Sequence, residues 1–279
     1  MDGTQEALDA YTKATELDPD NVNAWNRLGH LYVRVGSFPA AKRAYKRILV
    51  LSNKTHNREL EPTALNNLGN IEQTQGNLEK AEELYTQALA LYEGLGNNEG
   101  IAAALGNLGT SAKTLRGDLK EAEKQYARSL ALYEELGHRE GTAHALTSLG
   151  IVAQTQDKLE KAEELYARSL ALYEELGHKP GIANVLASLG VVAQTRQNQK
   201  SAEELFARSL ALYENLGDKE GIAITLNNLG SIAHTQSDHD KARRLWTQAR
   251  DLFAGIPMPH MVATLEELLR DLDDDNPPD

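Results

Sequence analysis

The sequence contains no cysteine. A disulfide framework, a thiolate metal site and a cysteine nucleophile are excluded together. No apolar run approaches the ~20 residues that a spanning helix needs, and a mean hydropathy of −0.49 excludes a membrane protein. The opening residues, Met1-Asp2-Gly3-Thr4, form no basic and apolar signal segment, so a cytoplasmic location is expected. HExxH spacing, a glycine-rich phosphate loop and a nucleophile elbow are all missing. His234 and His239 straddle a turn, which is too little for a metal site. Paired acids such as Glu82-Glu83 and Glu163-Glu164 recur beside Lys or Arg, as solvated helix surface does. No enzymatic activity, metal or other cofactor is expected.

Basic residues are in deficit. Net charge is −12, and the deficit lies almost wholly after residue 58. Residues 1–58 hold nine Lys/Arg against six Asp/Glu, and the remainder twenty against thirty-five. A long acidic surface repels phosphate backbones, so nucleic acid is not an expected partner. One basic cluster stands apart: Lys42, Arg43, Lys46 and Arg47, at helical spacing. It reads either as a solvated outer face or as a site for an acidic partner.

What the chain has in abundance is itself. Leu-Gly recurs at Leu28, Leu68, Leu108, Leu149, Leu189 and Leu229, at offsets of 40, 40, 41, 40 and 40. Thirteen residues after each Leu stands a small residue (Ala41, Ala81, Ala162, Ala202, Ala242), delayed by one to Ala122 where Arg116 is inserted. Four residues further comes an aromatic: Tyr45, Tyr85, Tyr126, Tyr166, Phe206 or Trp246. The segment "LALYEELG" closes two of these units, with near copies closing two more.

Apolar spacing within a unit is helical, as in Ile101, Leu105, Leu108 and Ala112, then again in Ala81, Leu84, Tyr85, Ala88, Leu91 and Tyr92. Each unit therefore reads as two antiparallel helices. A glycine in the middle of the first helix costs ~1 kcal/mol against alanine. The expected compensation is close approach, with each such Gly facing the small Ala of the second helix. Gly96, Gly137, Gly177 and Gly217 stand where left-handed helix caps belong. The Arg116-Gly117-Asp118 tripeptide falls in an inter-helix turn.

Trp25, Leu28, Gly29, Tyr32, Ala41 and Tyr45 resemble the signature positions of the tetratricopeptide repeat. "AYTKATELDPDN" (Ala10–Asn21) is similar to the second helix and closing Pro of such a repeat. The later, longer units resemble those of kinesin light chain, of Pins-type adaptors and of bacterial regulatory arrays. The implied fold is all-α, a right-handed α-α superhelix (TPR solenoid) of antiparallel helix pairs with a C-terminal capping helix. Residues 1–20 would be the second helix of a truncated repeat. Six helix pairs would follow over 21–254 (about 21–57, 58–97, 98–138, 139–178, 179–218 and 219–254), then a capping helix over 255–272 and an acidic tail over 273–279. Pro257 and Pro259 break the rhythm before the cap. The lone helix Gln5–Leu17 leaves one apolar side open, which suggests a fragment of a longer array and offers Leu8 and Tyr11 for self-association.

In that family the first helices line a concave groove. Its layout puts positions −5, −2, −1, +2 and +5 from each motif Leu on the groove face. The implied peptide-binding residues are Asn66, Asn67, Asn70, Gln73, Asn107, Thr110, Lys113, His144, Thr147, Ile151, Gln154, Asn184, Val191, Gln194, Asn227 and His234. Amides and hydroxyls dominate, and they can satisfy a peptide backbone without dictating its side chains. Ile151 and Val191 would form an apolar floor. The two-carboxylate clamp of chaperone-binding members needs basic partners beside Asn70 and Asn107. These are absent, so chaperone C-terminal tails should not bind. The alternative reading is that these polar groups only keep a curved surface wet; against it, the convex faces are heavily charged and this face is not. The resemblance implies a protein-protein interaction scaffold for a peptide or helix of a protein partner. The alternatives are the sensory or regulatory portion of a larger protein, or a self-assembling array.

Overall fold

Turn chemistry sets where the helices begin and end. Asn97, Asp118, Asn198, Asp218 and Asp238 each accept a hydrogen bond from the backbone N–H three residues on, capping the helix that follows. Gly96, Gly177 and Gly217 close second helices at φ 65°, 64° and 69°, a left-handed geometry that costs glycine no Cβ clash. In the Arg116-Gly117-Asp118 tripeptide, Gly117 caps one helix at φ 62° and Asp118 caps the next.

The computed structural model describes residues 3–55, 58–256 and 258–275. Every regular element among them is helical, and the chain divides into two units, Met1–Gly141 and Thr142–Asp279. The first carries α1 (Gly3–Leu17), α2 (Val22–Arg34), α3 (Phe38–Thr55), α4 (Glu61–Thr74), α5 (Leu78–Leu95), α6 (Asn98–Arg116) and α7 (Leu119–Glu135). The boundary falls in the first turn of α8 (Arg139–Thr155). The second unit continues with α9 (Leu159–Leu176), α10 (Lys179–Thr195), α11 (Gln199–Leu216), α12 (Lys219–Thr235), α13 (His239–Ala254) and α14 (Pro259–Asp275). Pro257 and residues 276–279 of the acidic tail lie outside the described residues.

Contacts within a pair close toward the turn, as antiparallel helices require. Ser129 Oγ donates to the Ala102 carbonyl at 2.7 Å, and the Tyr126 hydroxyl meets Thr110 Oγ1 at 2.9 Å. Ser209 repeats the first contact on the Ala183 carbonyl at 2.9 Å. In the second unit α14 lies on α13, where Leu265 and Leu272 join Trp246 and Phe253 in one buried cluster.

The mid-helix glycines do approach closely, but not to the alanines. A Cβ placed on Gly29, Gly69, Gly109, Gly150, Gly190 or Gly230 would lie 2.5–2.8 Å from the ring of Tyr45, Tyr85, Tyr126, Tyr166, Phe206 or Trp246 respectively. The expectation of a Gly–Ala face is corrected: the aromatic one turn beyond the Ala covers the glycine. A second set joins one pair to the next. Gly100, Gly181 and Gly221 would place a Cβ 2.2–2.7 Å from Tyr92, Tyr173 and Tyr213. These tyrosines belong to the "LALYE" extension, which accounts for the long repeat: the added turn carries the ring that docks on the next first helix.

Ion pairs tie neighbouring pairs together at the surface, such as Arg116–Glu82 at 2.7 Å and Lys241–Glu203 at 2.5 Å. Glu72 is different because it is only 3% exposed. It accepts from Lys42 (2.9 Å), Lys80 (2.7 Å) and Asn77 (2.8 Å). Burial opposes its charge, but these three donors prevail and hold its pKa at about 2. Lys42 is thus committed to Glu72, while Arg47 and Lys54 both reach Asp20, at 3.1 and 2.6 Å. Half of the basic cluster seen in sequence is therefore internal pairing. Leu8, expected at an open end, is 8% exposed, so it belongs to the packing of α1 on α2.

Three stability changes are expected. Gly150→Ala should lower the urea midpoint. The ~1 kcal/mol helix-propensity gain is outweighed by forcing a carbon against the fully buried Tyr166, an overpacking cost of ~1–3 kcal/mol. Gly94→Ala, in α5 with open space around it, is the control and should raise the midpoint. Asp157, Gln197 and Ser237 hold φ of 59–62° where other turns have Gly36, Gly76 and Gly117. Gln197→Gly should therefore stabilise the protein by about 1 kcal/mol, read from the same denaturation curves. Glu72 gives a pH signature. Its folded pKa lies below the ordinary 4.5, so its stabilisation is complete above that value and drains away as pH falls toward about 2. Glu72→Gln should flatten that stretch of the stability–pH curve; an unchanged slope would contradict the assignment.

Candidate functional site

A first-helix residue that recurs every forty positions falls on the same helix face in each copy, so the second unit sets three copies side by side. α8, α10 and α12 line an open groove of about 560 Å³. α8 contributes His144, Thr147, Ser148, Ile151, Gln154 and Thr155, α10 contributes Asn184, Ala187, Ser188 and Val191, and α12 contributes Ile224 and Asn228. Tyr166, Tyr173 and Tyr213 reach it from the second helices beneath. No Asp, Glu, Lys or Arg lines it.

The tyrosines do more than fill space. The Tyr166 hydroxyl donates to Gln154 Oε1 at 2.8 Å, and the Tyr213 hydroxyl donates to Asn184 Oδ1. Burial pushes both phenols up to about 12, so they are neutral donors at ordinary pH. Each ring rests on a glycine, Gly150 or Gly221, and its hydroxyl emerges at the groove. Ser188 Oγ donates to the Asn184 carbonyl at 3.0 Å, and Thr147 Oγ1 lies 2.8 Å from Ser169 Oγ.

The first unit builds a tighter version of the same face. Asn107 Nδ2 donates to Asn66 Oδ1 (3.0 Å) and Asn70 Oδ1 (3.1 Å). The Tyr85 hydroxyl lies 2.9 Å from both Asn70 Oδ1 and Gln73 Oε1. Tyr92 reaches Thr63 Oγ1 at 3.1 Å. Asn66, Asn70, Gln73 and Asn107 are thereby locked to one another, while Thr110 pairs with Tyr126. Asn67 turns Nδ2 into the interior, where it has no hydrogen-bond partner among the described residues. Lys113 is half-buried on α6, and lost hydration lowers its pKa.

Six residues expected in the groove, namely His144, Thr147, Ile151, Gln154, Asn184 and Val191, are brought together in the second unit. Gln194, Asn227 and His234 are not among the groove-lining residues. Asn227 buries Oδ1, and its carbonyl accepts from Trp246 Nε1 at 3.2 Å. The His234 ring lies 5.5 Å from Trp246 and 5.6 Å from His239. Among the described residues no group of three or more His, Cys, Asp or Glu could hold a metal ion. No helix there is long and apolar enough to cross a membrane. Sequence reasoning missed Ile224, although counting five back from Leu229 finds it. It also took Tyr166 for packing alone and did not single out Tyr213; their spacing carries no sign of where the hydroxyl ends.

A family model described as Tetratricopeptide repeat matches residues 20–94, 100–175, 142–215 and 181–255. No curated protein matches the sequence. Among solved structures, BtubC (BKLC) from P. vanneervenii is similar at 20% identity and TM-score 0.61, over 91% of this chain and 89% of that one. The APC/C hetero-tetramer Cut9-Hcn1 gives TM-score 0.75 at 16% identity, over 96% of this chain but 46% of that one. A Rap protein complexed with Competence and Sporulation Factor gives 0.66 at 13% identity, covering 91% and 75%. At these identities the likeness is one of fold.

Proposed function

The chain belongs to the tetratricopeptide repeat family, and from that premise we propose that it is an interaction scaffold whose second-unit groove holds a segment of a partner protein. The observation that carries this reading is the groove's lining: three successive first helices converge on it without one carboxylate, ammonium or guanidinium, in a chain of net charge −12. A surface kept merely wet has no reason to exclude charge, whereas a surface that must be dehydrated on binding does. The amide ladder of Asn66, Asn70 and Asn107 in the first unit already consumes much of its own hydrogen-bonding capacity, which favours the second unit as the site. The sensory alternative differs only in what the bound segment controls.

Capture from native lysate tests the reading. Ile151→Asp combined with Val191→Asp should reduce the retained partner about tenfold or more, since an unpaired charge would be desolvated on binding. Asn70→Ala combined with Asn107→Ala should have the smaller effect. If the first-unit pair abolishes retention while the second-unit pair leaves it intact, binding lies in the other unit.

A further inference from the structure

The molecule contains its own comparison between a glutamine with a hydroxyl beneath it and one without. Gln154 and Gln194 stand four residues after Gly150 and Gly190, at equivalent places on α8 and α10. Tyr166 covers Gly150 and donates to Gln154, which lines the groove. Phe206 covers Gly190 in the same way but has no hydroxyl to give, and Gln194 does not line the groove. Asn184 in turn is held by Tyr213, whose ring is pinned on Gly221. We infer that Tyr166 and Tyr213 are positioning residues that fix which way the groove's amides face, and that the groove is built for an extended, uncharged segment bearing aliphatic side chains.

With its oxygen occupied by a tyrosine O–H, each amide presents its NH2 to the groove as a donor. Backbone carbonyls of an extended chain are free to accept there. Those of a helix are already paired internally and would leave the donors unmatched. Ile151, Val191 and Ile224, one from each first helix, offer apolar contact to aliphatic side chains. A charged side chain would lose its water and meet no countercharge, because no lining residue carries a permanent charge. This rests on the proposal that the groove is the partner site.

The test uses the full chain and two capped hexapeptides: acetyl-Ser-Val-Ser-Val-Ser-Val-amide, and the same peptide with Glu in place of each Val. Binding is followed through the side-chain amide NMR signals of Gln154 and Asn184. The valine peptide should shift both signals, and the glutamate peptide should not. Tyr166→Phe with Tyr213→Phe should weaken the valine peptide about tenfold, since each oriented hydrogen bond is worth a few-fold in affinity. Phe206→Tyr supplies the missing hydroxyl and should tighten binding about threefold while moving the Gln194 amide signal, a gain that mere structural support would not produce. If neither peptide moves any groove signal, the groove reading itself fails. Should the valine peptide shift the groove while both tyrosine changes leave its affinity unaltered, or should the glutamate peptide bind equally well, only the present inference is overturned. If the double variant lowers the denaturation midpoint, Phe206→Tyr decides: tighter binding supports the inference and unchanged affinity overturns it.

Discussion

An aromatic ring packed directly against a glycine is the contact on which the rest of the structure depends. It joins first to second helix within each pair, and in the longer repeats a second such contact joins one pair to the next. The arrangement needs a residue without a Cβ, because any side chain would stand less than 3 Å from ring carbons. Helix propensity lost at the glycine is recovered as buried aromatic surface, with each fully covered ring contributing on the order of 2–3 kcal/mol. Residues that recur in every copy are therefore the ones that carry the fold.

The same contact brings a tyrosine hydroxyl to the groove. A ring packed on its glycine places its para hydroxyl within hydrogen-bond reach of the amide above it. Tyr166 belongs to the core by its ring and to the groove by its oxygen. Phe206 keeps the first role and gives up the second. Variation between repeats at these positions therefore changes the groove's hydrogen-bonding character with little change to the stack beneath.

Charge is arranged with the same economy. Ion pairs such as Arg116–Glu82 and Lys241–Glu203 lie between neighbouring pairs, where exposure keeps each worth little. Glu72 is the exception: its carboxylate is buried at a cost in hydration, and losing any of its three donors would leave that charge uncompensated. The groove of the second unit carries none of this: its apolar and amide groups have no Asp, Glu, Lys or Arg beside them among the lining residues.

Much was legible in the sequence. The forty-residue period, the helix pairs, the glycine caps at Gly96, Gly177 and Gly217, and the first-helix positions of Ile151, Gln154, Asn184 and Val191 all follow from spacing, because helical periodicity maps sequence offset directly onto a face. What spacing could not determine was which partner each side chain meets across the turn. The mid-helix glycines face aromatic rings rather than alanines, Leu8 is covered rather than open, and Gln194, Asn227 and His234 are not among the groove-lining residues although they share its register. Those outcomes depend on ring orientation and on contacts between residues 12–41 positions apart. Local pattern holds no record of such contacts, and only the packed structure decides them.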